Sequence, residues 1–474
     1  MIRRDQIGHV FLCLGACLAG VFLIAGAGRL TGEAPGAPPR EATVRHFGAI
    51  GDGAADDTAA LEAAVASRLG EVRLPSGVYR VTRTIHIDLD RVGPKSITGG
   101  GTARILMTGG GPAIRFTGTH QGTASPATVL PQVWQRERMP IVDGLEIVGD
   151  HPEACGIEAT GTMQLTITRV NVRHVLHAVH LVQRNRNVIV SNCHLYENRG
   201  VGLYLDDVNL HQINVTGCHV SYNAGGGIVS RAGNVRNLQV SGCDVEGNMS
   251  PDGPPTANVL IDCRGGQAGT AEVAVTGCTI QHSHQCPGSA NIRYIGSDVE
   301  GRQWGHVTIA DNVLSDVTVN VDVQGARGVS IVGNTFWKGQ QHNLRVLDSS
   351  NVVVGPNVFD RNPNYGAQRD ASNSLVLRNC RDCTLIGLHL NGASNSPAGL
   401  VLEDCRRMNL TGLTILDCEG AGLLLKGVTQ SRVSDCLILN DQAEPTEWAP
   451  VLTVNSPGND IEAPVVPAGA GTLP

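Results

Sequence analysis

Apolar and polar residues alternate between Val188 and Tyr222 in a short pattern that then repeats along the chain. Val188, Val190, Cys193 and Leu195 return 25 residues later as Ile213, Val215, Cys218 and Val220. The same i, i+2, i+5, i+7 spacing recurs at Leu238, Val240, Cys243, Val245 and at Val273, Val275, Cys278, Ile280. Alternation within each half predicts a strand, because successive strand side chains point to opposite faces. The Ser-Asn, Thr-Gly or Ser-Gly pair between the halves predicts a bend joining two short strands. A second apolar run follows a Gly in each unit, as in GLYL at 202–205 and GIVS at 227–230. One such unit cannot bury its own apolar side, whereas a stack of them can.

The spacing fits further units at 140–147 and 165–172, and at 307–314, 329–336 and 352–359, where Asn312, Asn334 and Asn357 replace the cysteine. It ends with 383–390, 408–415 and 431–438, making twelve rungs spaced 22 to 35 residues apart. No segment between 140 and 440 has a helical period, and the leucine-rich L-x-x-L-x-L signature is missing. The expected fold is therefore all-β, a parallel β-helix of about twelve coils over 42–440, with 441–474 as a C-terminal cap and tail. Cys193, Cys218, Cys243 and Cys278 should stack inside as free thiols, since parallel Cβ vectors disfavour a disulfide. Cys380 and Cys405 look like another stack; with Cys383 and Cys418 they leave a zinc site as an alternative. The three asparagines should form an amide ladder.

Residues 1–29 read as a signal peptide or membrane anchor, with Arg3 and Arg4 ahead of an apolar run from Val10 to Ala27. A Pro/Gly/Ala-rich linker fills 30–41. The expected protein is exported: secreted, periplasmic or anchored to the cell envelope. It touches a membrane only through that first segment. Net charge is -7 and charged residues make up 17%, which excludes a globally basic grip on nucleic acid.

Residues 42–66 read ATVRHFGAIGDGAADDTAALEAAVA, and LPSGVY follows at 74–79. Phe47-Gly48-Ala49, Gly51-Asp52-Gly53, Asp56-Asp57-Thr58 and Ala60 resemble the opening motif of the pectate-lyase superfamily, the right-handed β-helix proteins that include rhamnogalacturonase- and epimerase-like members. Read from the residues alone, Asp56 or Asp57 caps a helix over Thr58–Ala66, whose Leu61, Ala64 and Val65 cover the first coil. The resemblance implies that this segment plugs the end of the stack and does no chemistry. A loop around Trp134, Arg136 and Arg138 reads as a cover on an exposed rung.

Chemistry belongs on outward positions. The outward column after the bend carries Asn171 and Arg173, His194 and Tyr196, His219 and Ser221, Asp244 and Glu246, then Thr279 and Gln281, with Glu197, Tyr222 and His282 just beyond. Farther along, the column loses its ionisable groups. Inserts near 248–258 and 285–290 fall beside it and are candidates for cleft walls. Asp244 and Glu246, with His219 alongside, are the candidate catalytic set; Arg173, His194, Tyr196, Glu197, Tyr222, Gln281 and His282 are candidates for binding substrate. Asp206 and Arg231, at equivalent places in successive coils, read as a surface ion pair. The resemblance implies a polysaccharide partner, and the paired carboxylates point to glycoside hydrolysis. Asp206-Asp207 matches one polygalacturonase motif, but the Gly-His-Gly and Arg-Ile-Lys motifs are missing. A polysaccharide lyase, an epimerase or a noncatalytic envelope protein stay open beside the hydrolase. No cofactor is assured by these residues, and calcium is expected if the protein is a lyase.

Overall fold

The computed structural model describes residues 41–464 apart from 123, 267, 298, 366–370 and 443–447. The expected signal or anchor and its linker up to residue 40 lie outside the described residues. The rest is one parallel β-solenoid of about 16 turns, four more than the repeat alone suggested. The additional turns come from both ends. Gly77–Val81 pairs with Ser96–Met107, and that strand pairs with Ile141–Gly149 across a register shift between Thr98 and Ala103. The shift falls on Gly99-Gly100-Gly101 and breaks the spacing by which rungs are recognised. At the other end, Val451–Val454 stacks on Ala421–Lys426 and Asp460–Ile461 on Arg432–Ser434.

Each full coil has three faces. In the coil that begins at Ile213, face 1 is Ile213–Thr216, face 2 is His219–Ser221 and face 3 is Gly226–Arg231. Faces 1 and 2 meet at the expected bend. Its second residue takes the left-handed conformation in coil after coil: φ is 53° at Asn192, 60° at Gly217, 58° at Gly242 and 63° at Gly277. Glycine and asparagine enter that region at little cost, so the Ser-Asn and Thr-Gly pairs are placed where the turn demands them. Inside, Val190, Val215, Val240, Val275 and Ile309 lie in direct register and are fully buried.

Below these, Cys193, Cys218, Cys243 and Cys278 form a buried column of free thiols. Each thiol donates to a carbonyl of the preceding coil, as from Cys218 to Val190 and from Cys243 to Val215, both at 3.6 Å. The column then passes from sulfur to amide. The backbone N–H of Cys243 donates to Cys278 Sγ at 3.4 Å, and that of Cys278 donates to Asn312 Oδ1 at 3.0 Å. Asn312 donates to Asn334 at 2.9 Å and Asn334 to Asn357 at 3.0 Å, the expected ladder. A longer ladder runs unforeseen through the corner between faces 2 and 3. Asn198, Asn223, Asn248, Asn258, Asn291, Asn320 and Asn343 are joined head to tail at 2.7–2.9 Å. The zinc alternative has no support, because no group of three or more His, Cys, Asp or Glu among the described residues is arranged to hold a metal ion.

At the N-terminal end, the helix spans Thr58–Ala66 as expected, with Leu61, Ala64 and Val65 buried. Asp56 accepts from the Thr58 N–H at 3.1 Å, whereas Asp57 turns back to hold the N–H groups of Ile50 and Gly51 at 2.6 and 3.0 Å. One aspartate starts the helix and the other fixes the turn before it. The loop around Trp134 includes a turn at Val133–Glu137. Its Arg136 donates to the Asp90 carbonyl, and its fully buried Glu137 accepts from Thr119.

Candidate active site

Face 2 is built from three-residue strands whose central residue points inward and whose outer two point to solvent. Val172, Leu195, Val220, Val245 and Ile280 are the buried centres. Their flanks therefore form two outward rows in register. One row is Asn171, His194, His219, Asp244, Thr279; the other is Arg173, Tyr196, Ser221, Glu246, Gln281. The residues proposed from sequence fall in these rows or just beyond them, and their contacts divide them into two groups.

Asp244 and Glu246 form the centre of the first group. Asp244 Oδ1 is buried and has no hydrogen-bond partner among the described residues. Burial, and then the neighbouring Glu246 charge, raise the Asp244 pKa, while His219 and His282 oppose the rise. Glu246 is held in place by Gln281 at 3.2 Å and by the Tyr222 hydroxyl at 3.4 Å. The Glu246 charge, more than burial, raises Tyr222 and keeps it a proton donor. His219 stands edge-on to His194, their ring centroids 4.9 Å apart, and burial followed by His219 lowers His194. His282 lies 3.9 Å from Asp316, which also takes Lys338 at 3.5 Å. Neither Asp316 nor Lys338 was singled out from sequence, because both sit at corners beyond the strand columns.

The second group is engaged elsewhere. Arg173 Nε donates to Glu146 at 2.8 Å, and this bond is the main reason its pKa is raised. Glu146 also takes Arg104, so Arg173 is a tied guanidinium rather than an open clamp. Glu197 bonds His174 at 3.1 Å. The inserts at 247–256 and 282–289 meet through Met249 and Cys286 and close over face 3. There Arg293 donates to the Thr256 and Gly288 carbonyls, and Val229 and Leu260 lie buried. Tyr222 on the face 2 side keeps 56% of its surface in solvent.

Face 3 holds a titratable cluster outside the candidates that the repeat pattern marks. His180 lies between Asp206, 3.1 Å from Nε2, and Glu158, 3.5 Å from Nδ1. Its ring stacks on Tyr204 at 5.2 Å and tilts against His177 at 5.3 Å. Burial works to lower His180, but the hydrogen bonds that Glu158 and Asp206 accept from it win and raise it. Burial lowers His177 to about 4 and pushes Tyr204 up to about 12. Asp206 and Arg231 are register neighbours, yet the expected pair between them is replaced: Asp206 takes His180, and Arg231 reaches Asp262 at 3.9 Å. The imidazole is largely buried between the Glu158 and Asp206 carboxylates, whereas Arg231 keeps much of its side chain in solvent. A visible signal was the shared register of Glu158, His180 and Tyr204 on the face 3 strands of successive coils.

Residues 137–280 match the family model described as right handed beta helix region. Residues 264–462 match the one described as periplasmic copper-binding protein (NosD). No curated protein matches the chain. Among solved structures, the chain is similar to the mannuronan C-5 epimerase AlgE4 A-module of Azotobacter vinelandii, at 14% identity over 89% of this chain and 100% of that one, with a TM-score of 0.42. The Dettilon tailspike protein gp208 matches at 14% identity over 87% of this chain and 68% of that one, with a TM-score of 0.49. The Streptococcus pneumoniae surface protein and adhesin PfbA matches at 14% identity over 89% and 100%, with a TM-score of 0.47. The family model over residues 137–280 agrees with the parallel β-solenoid described above: the fold of this chain is the right-handed parallel β-helix.

Proposed function

We propose that this is an exported protein that cleaves an acidic polysaccharide by glycoside hydrolysis on face 2. The observation that carries the reading is Asp244, a carboxyl with one buried, unpartnered oxygen and a raised pKa, two residues from a second carboxyl. Residues i and i+2 on a strand leave one face about 7 Å apart at their bases. That separation lies in the range of roughly 6.5–9.5 Å that admits a water between acid and base in an inverting glycosidase. Asp244 gives its proton to the glycosidic oxygen as the bond to the anomeric carbon breaks. Glu246 takes a proton from the water that attacks that carbon from the opposite side. Gln281 and Tyr222 hold Glu246, and His219 sets the charge beside Asp244. The sugar chain lies along the rows through His194 and Tyr196 on one side and Gln281 and His282 on the other.

Export agrees with the periplasmic description of the family matched by residues 264–462. The copper in that description does not fit the side chains present. No group of three His, Cys, Asp or Glu side chains among the described residues is arranged to hold a metal ion, and the twelve described cysteines are buried. No step is routed through a metal.

A second reading, lyase or epimerase chemistry on face 3, is favoured by the stack of Tyr204 on His180 beside Arg115 and Glu158. Tyr204 stays protonated there and suits proton donation to a sugar carbon or leaving oxygen. One panel of polysaccharides separates the readings, followed both for new reducing ends and for absorbance of unsaturated products. Reducing ends without unsaturation, lost in Asp244→Asn and Glu246→Gln, support hydrolysis on face 2. Unsaturated products lost in Tyr204→Phe would move the chemistry to face 3. Wild-type turnover by both carboxyl variants removes the face 2 proposal.

A further inference from the structure

In the C-terminal half, a groove of about 690 Å³ follows the corner where face 3 passes into face 1. Its floor is laid by the corner residues of three successive coils. Asp348, Asn379 and Asp404 stand one above another there. Just before the corner Arg378 pairs with Leu347 and Glu403, and just after it Arg381 pairs with Ser350 and Arg406. Each corner residue is left-handed, with φ of 51°, 52° and 51°. Aspartate and asparagine enter that region more readily than most residues, but the turn needs no side chain at all. The coils on either side make it with Gly325 and Gly427. The three polar side chains are therefore additional to what the corner requires.

Residues 299–303, just ahead of the strand Trp304–Ala310, wall the groove. Gln303 pins that wall with both ends of its amide. Nε2 donates to the Asp348 carbonyl at 2.8 Å, and Oε1 accepts from the fully buried Ser350 hydroxyl at 2.6 Å. Two residues past the corner, acceptors give way to donors. Arg381 and Arg406 line the groove in direct register, and Arg302 adds a third guanidinium from the wall. Most of this bonding capacity is unspent among the described residues. Asp348 Oδ1 accepts from the Asn379 amide at 2.7 Å, and the Asp404 carboxylate has neither a hydrogen bond nor an ion pair. Arg381 reaches only Asp382 at 3.1 Å, outside the groove, and Arg406 only Gln430 at 2.9 Å. No ion pair joins the acidic row to the basic one. Glu300, Asp348 and Asp404 are balanced by Arg302, Arg381 and Arg406, so the lining carries no net charge.

We propose that this groove binds a neutral oligosaccharide lying along the solenoid axis. Its hydroxyls donate to Asp348, Asn379 and Asp404 and accept from Arg381 and Arg406. A hydroxyl is donor and acceptor at once, so it fits between an acceptor-only row and a donor-only row that do not pair with each other. Hydrogen bonds to charged groups are the stronger kind, and the balanced lining gives a charged sugar no advantage. Coils repeat every ~4.8 Å, close to the advance of one sugar unit, so successive units meet the same pair of rows. The volume falls within the range of small-ligand sites. The groove lies at a different corner from Asp244 and Glu246, and it anchors a glycan whatever chemistry face 2 performs.

The test is calorimetry on the whole chain with cellotriose, maltotriose and chitotriose as neutral probes. Glucose serves as the single unit and tri-galacturonate as the charged comparison. At least one neutral trisaccharide should bind, about tenfold or more tightly than glucose. Asp404→Ala and Arg406→Gln each remove a charged hydrogen-bonding group and should weaken that probe about tenfold or more. Both residues are exposed, so the thermal midpoint should stay that of the parent. Asp244→Asn should bind the neutral probe as the parent does. No binding by any neutral probe, equal affinity for glucose, or parental affinity in both groove variants overturns the proposal. So does tri-galacturonate bound more tightly than every neutral probe and lost in Arg406→Gln, which would make the groove an anion site. Loss of the neutral probe in Asp244→Asn instead would place it on face 2 and leave the groove without a role.

Discussion

Replacing Asn334 by alanine and by cysteine weighs one member of the buried ladder against the residue that fills the same column upstream. Asn334 Oδ1 accepts from the Asn312 N–H at 3.0 Å and from the Asn312 amide at 2.9 Å. Its own amide donates to the Ile309 carbonyl and to Asn357 Oδ1, both at 3.0 Å. It also donates to the Val332 carbonyl at 3.2 Å, and alanine removes all five bonds. Some groups keep a second partner: the Asn312 amide still reaches the Val275 carbonyl, and Asn357 Oδ1 still accepts from the Asn334 N–H. The Asn312 N–H does not, and a buried orphan donor costs about 1–3 kcal/mol. With the weakened Ile309 carbonyl, the total is roughly 3–4 kcal/mol. Cysteine restores the acceptor in the way that Cys278 accepts from the Cys243 N–H at 3.4 Å. Its cost should be about 1–2 kcal/mol. Native-state hydrogen exchange read by mass spectrometry locates the effect. Protection of the Asn312 amide should fall at least a hundredfold in Asn334→Ala and about tenfold in Asn334→Cys, at tenfold per 1.4 kcal/mol. Equal losses in the two variants, or a loss centred away from Asn312, would refute the assignment.

Val215→Asp puts a carboxylate into the dry column and should cost several kcal/mol, roughly 4 or more, while His219→Asn on the outer row leaves the thermal midpoint nearly unchanged; equal destabilisation in thermal unfolding would contradict the register. Asp244 has a folded pKa raised above 3.8, so its favourable contribution is present below that value and is lost as pH rises through the raised one. Asp244→Asn should therefore melt at or above the parent at pH 7 and gain nothing at pH 3; a lower midpoint at pH 7 would show a structural carboxylate instead. His180 is raised above 6.5, so its stabilisation is present below 6.5 and fades as pH climbs through the folded value. His180→Gln should flatten the fall in midpoint across that alkaline window, and an unchanged slope would remove His180 as its cause.

How much was legible depended on whether a feature obeyed the repeat. The pairing of His194 with His219 and of His219 with Asp244 follows from spacing alone, since each side chain's direction is set by its distance from a buried neighbour. The Cys-to-Asn column was readable for the same reason. The longer ladder was not. Asn198, Asn223 and Asn248 sit just after strands, where asparagine ordinarily signals a turn, and the ladder then jumps across an insert to Asn258 inside a strand. Partners reached by long side chains were equally hidden. Glu146 holds Arg173, and His180 takes Asp206 from Arg231, because the tip of a side chain can cross a rung that its backbone cannot.

The long ladder also has a direction. From Asn198 to Asn320, every side-chain amide donates toward the next coil and accepts from the one before. The amide dipoles therefore add, with the negative end toward the N-terminus and the positive end toward the C-terminus. A stack interrupted after any of these coils ends in an N–H pointing outward with nothing to receive it. The next asparagine to arrive satisfies it only in one register, since a slip by one residue turns the acceptor to the opposite side of the strand. Each finished coil is thus a template for its successor, and the two ends of a partial stack are chemically unlike. Only the end that presents donors calls for an asparagine.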